Sequence, residues 1–273
     1  MLSVSNIAWA PDEEEAAAAL LAERGITWVD VAPGRYFPDP GTATERDILN
    51  VREWWELRGF KIAGMQSLLF GTQGLNLFAD PQGSMFERLS SVCRIGAGLG
   101  AHALTFGSPR QRDRSGLDDA TTQNIAVDFF GRLGDRAASE GVVVCLEPNA
   151  PVYGANFMTN NVDTAAMVRA VGHRAIALQL DIGNLALNAE PAAEMIGEVA
   201  PLVGHIHLSE PMLIPLGDGD APHAEAARAI HALLPDRIMT IEMVRAEGEP
   251  ALAAVDRAIG FACRTYEAGA AQC

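Results

Sequence analysis

Apolar residues in this chain gather into short continuous runs, and each run is followed by a stretch in which apolar positions recur at helical spacing. Residues 2–7 read as a strand, and residues 11–24, acidic first and alanine-rich after, as a helix whose N-terminal charge suits its dipole. Gly25 stops that helix. The same pair then repeats. Strands are expected at 26–31, 61–66, 102–106, 142–147, 175–180, 202–208 and 238–241, and helices at 44–58, 83–99, within 118–140, and at 161–171, 191–199, 223–234 and 250–268. Runs that are apolar throughout suit parallel strands covered on both faces. Eight strand-helix units predict an α/β fold, a (β/α)8 TIM barrel closed on itself, as a single domain over residues 1–273. An open doubly wound sheet is the alternative, but no G-x-G-x-x-G follows the first strand.

The second half of the chain changes the picture from fold to chemistry. Four consecutive predicted strands each bring a polar residue to or near their end: Glu147, Asp181, His207 and Glu242. A barrel gathers those ends at one mouth. Three carboxylates and one imidazole there suit one divalent metal ion, Mn²⁺ or Mg²⁺ first, with Zn²⁺ or Co²⁺ compatible. Such a site would grip two adjacent oxygens of a hydroxy-carbonyl substrate and favour an enediolate, with Glu147 and Glu242 moving the proton from opposite sides. The plainer reading is that a carboxylate at a strand end caps the next helix. His205 shares a strand face with His207, so periodicity alone leaves the choice between them open.

The segments Cys145-Leu146-Glu147-Pro148-Asn149, Leu180-Asp181-Ile182-Gly183-Asn184, residues 204–210 with 215–219 after them, and Thr240-Ile241-Glu242 resemble the xylose isomerase-like sugar isomerase and epimerase superfamily. The likeness is greatest to its ketose 3-epimerase, hydroxypyruvate isomerase and inosose dehydratase branches. The resemblance implies that Glu147, Asp181, His207 and Glu242 are the metal ligands, that the two glutamates double as acid and base, and that Asn184, His205 and Glu210 lie close enough to touch a carbohydrate substrate. Two departures stand out. Asn184 occupies a position where the family commonly has a histidine, and Leu213 one where many ketose epimerases have an arginine. A dehydratase, or a barrel that has lost catalysis and serves as a binding subunit, are the alternatives.

Other residues extend the candidate site. The loop 108–115 concentrates Arg110, Arg112 and Arg114, and Arg110 and Arg114 are expected to bind an anionic group on the substrate unless Asp113, Asp118 and Asp119 neutralise them. Asn6 and Gln66, at strand ends, could reach the substrate, while Gln179 could instead sit in a layer inside the barrel. Trp9, Tyr36, Phe37 and Phe70 could wall a sugar ring, and Trp54 and Trp55 could serve the core or a subunit contact in a homo-oligomer.

Composition then excludes partners. A formal net charge of −15 repels a phosphate backbone, so no nucleic acid is expected. No apolar run is long enough to span a bilayer, and the N-terminus lacks the pattern of a signal peptide, so no membrane partner and a cytoplasmic location are expected. Cys93, Cys145, Cys263 and Cys273 show no ligand-like spacing and are expected to be reduced thiols.

Overall fold

The apolar runs become eight short parallel strands: β1 (Leu2–Ser5), β2 (Trp28–Val31), β3 (Lys61–Met65), β4 (Ala103–Phe106), β5 (Val143–Leu146), β6 (Ile176–Asp181), β7 (Val203–Leu208) and β8 (Met239–Ile241). This is a computed structural model, and it describes residues 1–80 and 83–267. The strands pair in chain order, and β8 pairs with β1 (Leu2 opposite Met239, Val4 opposite Ile241), which closes the barrel. Around it lie α1 (Glu14–Glu23), α2 (Glu45–Glu56), α3 (Ser84–Leu99), α4 (Asp119–Glu140), α5 (Asn161–Val171), α6 (Ile182–Leu187), α7 (Ala192–Val199), α8 (His223–Leu233) and α9 (Ala251–Tyr266). The expected (β/α)8 TIM barrel is therefore the observed fold. The expectation at Ala268 and at Cys273 falls outside the described residues.

Side-chain chemistry divides each strand between two environments. On β4, Leu104 and Phe106 face the helices: Leu104 lies against Gly96 of α3, and the Phe106 ring meets Phe130 of α4 edge-on at 5.4 Å between centroids. Thr105 between them points inward and donates to Gln179 Oε1 at 3.0 Å. Gln179 thus sits in a barrel layer. The interior as a whole is polar, with Ser3, Asp30, Thr105, Gln179, His205, His207 and Thr240 all buried. The apolar core lies instead between the strands and the helices.

One irregularity aims the functional strand. Between β6 and β7 the register runs Leu178 to Val203, then Gln179 to His205, so Gly204 is an extra residue. A Cβ at Gly204 would lie 2.7 Å from both Cys145 Sγ and Ala177 Cβ, so only glycine fits. Beyond the bulge Asp181 pairs with His207, and His207 with Thr240 of β8.

Cys93 and Cys145 are buried free thiols whose pKa burial pushes up to about 12. Cys263, against expectation, is disulfide-bonded. Among the described residues no helix is long and apolar enough to cross a membrane.

Candidate active site at the barrel mouth

Parallel pairing places the C-terminal ends of β5 to β8 side by side, and with them Glu147, Asp181, His207 and Glu242. Glu147 and Glu242 stand one residue past their strands, held by backbone bonds to Phe106 O (3.0 Å) and Leu208 O (2.9 Å). One ligand atom from each of the four lies within 4.8 Å of the others. His207 Nδ1 is 3.1 Å from Glu242 Oε2 and 3.4 Å from Glu147 Oε1. Yet neither ring nitrogen of His207, nor Glu147 Oε1, makes a hydrogen bond, although all three atoms are buried. Unpaired buried polar atoms are costly. Two of them, His207 Nδ1 and Glu147 Oε1, face each other within the four-residue cluster, a hard oxygen-rich donor set that fits a divalent cation.

The neighbours of each ligand fix where it points. Asp181 Oδ1 accepts from the Asn184 backbone N–H (2.6 Å) and from Asn184 Nδ2 (3.0 Å), and Oδ2 accepts from Ser209 Oγ (2.6 Å). The same carboxylate therefore caps α6, so the capping reading holds at Asp181 and is compatible with a ligand role. Burial and the negative charges of Glu147 and Glu242 raise the Asp181 carboxyl to about 7. Burial opposes a charge on His207, but the surrounding carboxylates, Glu242 first, outweigh it and drive the imidazole well above its ordinary value.

Beneath the ligands lies Asp30 of β2, fully buried. Its Oδ2 accepts from His205 Nε2 at 2.7 Å and stands 3.8 Å from His207 Nε2, and its Oδ1 accepts from Ser3 at 3.3 Å. Burial disfavours the Asp30 charge, yet the two histidines hold its carboxyl well below the usual range. Asp30 faces the nitrogen of His207 that points away from the ligand cluster, the arrangement by which a carboxylate orients a metal-binding imidazole. A single aspartate within the apolar run Trp28-Val29-Asp30-Val31 was the only sequence cue.

A cavity of about 690 Å³ opens above the cluster. Its wall includes Glu147, Asp181, Asn184 and Glu242, together with Gln66, Phe70, Arg110, Tyr153 and Leu213. Gln66 donates through Nε2 to Ser5 Oγ and leaves Oε1 without a partner. Arg110 is exposed, and among the described residues it is the one cation on that wall.

Four expected substrate contacts are elsewhere. His205 lies a layer below, engaged with Asp30 and Thr240. Asn6 spends both polar atoms on Ala32 N–H and the Tyr36 hydroxyl. Glu210 accepts from Gly217 N–H, Ala221 N–H and His223 Nε2 at 3.0 to 3.1 Å, which folds the loop after β7 rather than opening to the cavity. Arg114 is turned away from the cavity, pairing with Asp119 and donating to Leu117 O. Of the aromatic candidates only Phe70 reaches the cavity. Trp9 and Phe37 are core, and so is Trp55, while Tyr36 donates to Glu14.

Arg112 and Asn149 also belong to the site, without a signal in the sequence that marks their role. Arg112 is fully buried and donates to Glu147 O (2.8 Å) and Asn149 Oδ1 (2.6 Å), and Asn149 Nδ2 donates to Glu147 Oε2 at 3.0 Å. A Cβ at Gly107 would lie 2.3 Å from that same Glu147 oxygen, so the glycine leaves room for the carboxylate.

Solved structures share this architecture at low identity. A D-psicose 3-epimerase solved in the presence of D-fructose superposes with a TM-score of 0.80 at 16% identity, over 97% of this chain and 99% of that one. The 3-keto-D-glucoside 4-epimerase of E. coli gives 0.75 at 15%, over 95% and 97%. A probable 3-DHS dehydratase of Bacillus anthracis gives 0.70 at 11%, over 95% and 97%. No protein of curated function matches the chain by sequence. Residues 18–264 match the xylose isomerase-like TIM barrel family, and with nearly the whole barrel inside that match the chain belongs to this family.

Proposed function

We propose that this chain is a divalent-metal-dependent isomerase or epimerase acting on a sugar or sugar derivative by proton transfer through an enediolate. The observation that carries the reading is the convergence of Glu147, Asp181, His207 and Glu242 with buried, unpaired donor atoms at the floor of an open cavity. The epimerases among the structural neighbours support the carbohydrate class. These four residues would hold the ion, Mn²⁺ or Mg²⁺ best suiting the oxygen-rich set. When bound, it supplies positive charge beside two adjacent substrate oxygens and lowers the cost of the enediolate.

The chain's own groups do the rest. Glu147 and Glu242 arrive from β5 and β8, on either side of the two strands between them, and so approach a substrate from two directions. One takes the proton from the carbon beside the carbonyl, and the other, starting protonated, gives its own proton to the opposite face. Asn184 and Ser209 orient Asp181 through three donated hydrogen bonds. Gln66 Oε1, unpaired on the wall, is placed to accept from a sugar hydroxyl. Arg110 supports an acidic group on the substrate, and Leu213 and Phe70 give the wall apolar surface where a neutral ketose site would need more donors.

The test is incubation of the Mn²⁺-supplied protein with neutral and acidic ketoses in deuterated water, followed by mass and NMR analysis. Deuterium at the carbon beside the carbonyl with the sugar skeleton intact is expected, and Glu147→Gln or Glu242→Gln should cut its rate about 10²–10⁴-fold. A product lighter by one water would replace epimerisation with dehydration. A protein that takes up none of Mn²⁺, Mg²⁺, Zn²⁺ or Co²⁺ would end the reading.

A further inference from the structure

We infer that Arg112 and Asn149 form a positioning pair that turns one chosen oxygen of Glu147 toward the ion and the substrate. Arg112 is an anomaly in energetic terms. It is fully buried, forms no ion pair among the described residues, and gives its two terminal nitrogens to neutral oxygens, Glu147 O and Asn149 Oδ1, while Nε stays unpaired. Burial of a guanidinium without a carboxylate partner is unfavourable unless geometry or function requires it. Burial lowers its pKa only to about 10, partly offset by the nearby Glu147 charge, so it remains a cation near neutrality.

The chain of bonds explains the placement. Arg112 fixes Asn149 by its carbonyl oxygen, which forces the amide nitrogen toward Glu147 Oε2. The backbone of Asn149 is itself pinned to Met158 O at 3.1 Å. With Oε2 engaged on that side and Gly107 leaving no side chain in its way, Oε1 alone is left facing His207 Nδ1. One carboxylate is thus split into a held oxygen and a free one. The inference rests on the metal-dependent reading given above.

Two substitutions test it on ion-free protein. Asn149→Ala removes the donor to Oε2, whereas Arg112→Lys keeps the charge but cannot reach both acceptors at once. Mn²⁺ binding is measured by titration calorimetry, in parallel with the melting temperature of the same ion-free samples. Weakening of Mn²⁺ binding by about 10–100-fold is expected, the range typical for loss of a group that orients a metal ligand. Arg112→Lys should do this with its ion-free melting temperature within a few degrees of the wild type. If both variants bind Mn²⁺ like the wild type, with or without a lower melting temperature, the pair is only structural and the inference is overturned. A wild-type chain that binds no Mn²⁺ overturns the metal-dependent reading, and the inference with it.

Discussion

Asp30 does its work through another residue. It touches no part of the cavity, yet among the described residues it is the carboxylate on the far side of His207, and His205 and Ser3 fill its remaining bonding. Asp30→Asn keeps the shape and removes the charge that favours a proton on His207 Nε2, the tautomer that leaves Nδ1 free for a cation. A loss of Mn²⁺ affinity of roughly 10–100-fold is the expected outcome. Titration of ion-free protein checks it, and unchanged affinity would make Asp30 a partner of His205 alone. The four residues of the candidate cluster were legible in the sequence because barrel geometry sends strand ends to a common mouth. Asp30, Arg112 and Ser209 were not, since their roles exist only once distant segments meet. Asn6, His205, Glu210 and Arg114 show the same limit: position along the chain does not say which way a side chain turns, and each has protein partners away from the cavity.

At the scale of elements, all eight strands and their helices were legible because the alternation is regular and the runs are apolar throughout. Helix α6 was not, since six residues offer less than two turns of periodicity and its cap, Asp181, already had another explanation. The loop after β7 depends on one buried residue. Glu210 gathers two backbone N–H groups and His223, and His223 Nδ1 in turn lies 2.7 Å from the Tyr266 hydroxyl, which ties β7 through α8 to α9. Burial tends to raise the Glu210 carboxyl, but the bonds from His223 and the backbone outweigh it, and its pKa ends below the ordinary value. Its contribution to stability is therefore complete above the unfolded carboxylate's pKa and is lost as pH falls through the lower, native one. Glu210→Ala should cost at least about 2 kcal/mol at neutral pH, because it strands buried donors. The deficit should shrink on acidification below about pH 4, where the wild type loses the same interaction. Urea unfolding of both proteins at several pH values measures this, and a pH-independent deficit would contradict it.

For the molecule as a whole, the ion-free protein holds three carboxylates and a strongly basic imidazole at one point, in a chain whose formal net charge is −15. A cation bound there displaces protons, because His207 must be neutral and Asp181 ionised to ligate. Affinity should therefore rise with pH between about 6 and 8, and the apparent binding enthalpy should change with the buffer's ionisation enthalpy. At an ion concentration of one hundred times Kd the fold gains about 2.7 kcal/mol. For a chain of this size that is roughly 5–10 °C in melting temperature, removable by a chelator. Calorimetry in two buffers and melting with and without chelator check both, and no buffer dependence would mean that the ligands are already deprotonated.

Barrel closure has a consequence in time. Strand β1 needs β8 on one side, and Met239 leaves the ribosome about 240 residues after Leu2, roughly 12–50 s later at ordinary rates of synthesis. Through that interval one edge of the growing sheet waits without its neighbour. The strand that waits longest, Leu2–Ser5, is only four residues long and ends in serine, a short edge that offers a passing chain little to pair with.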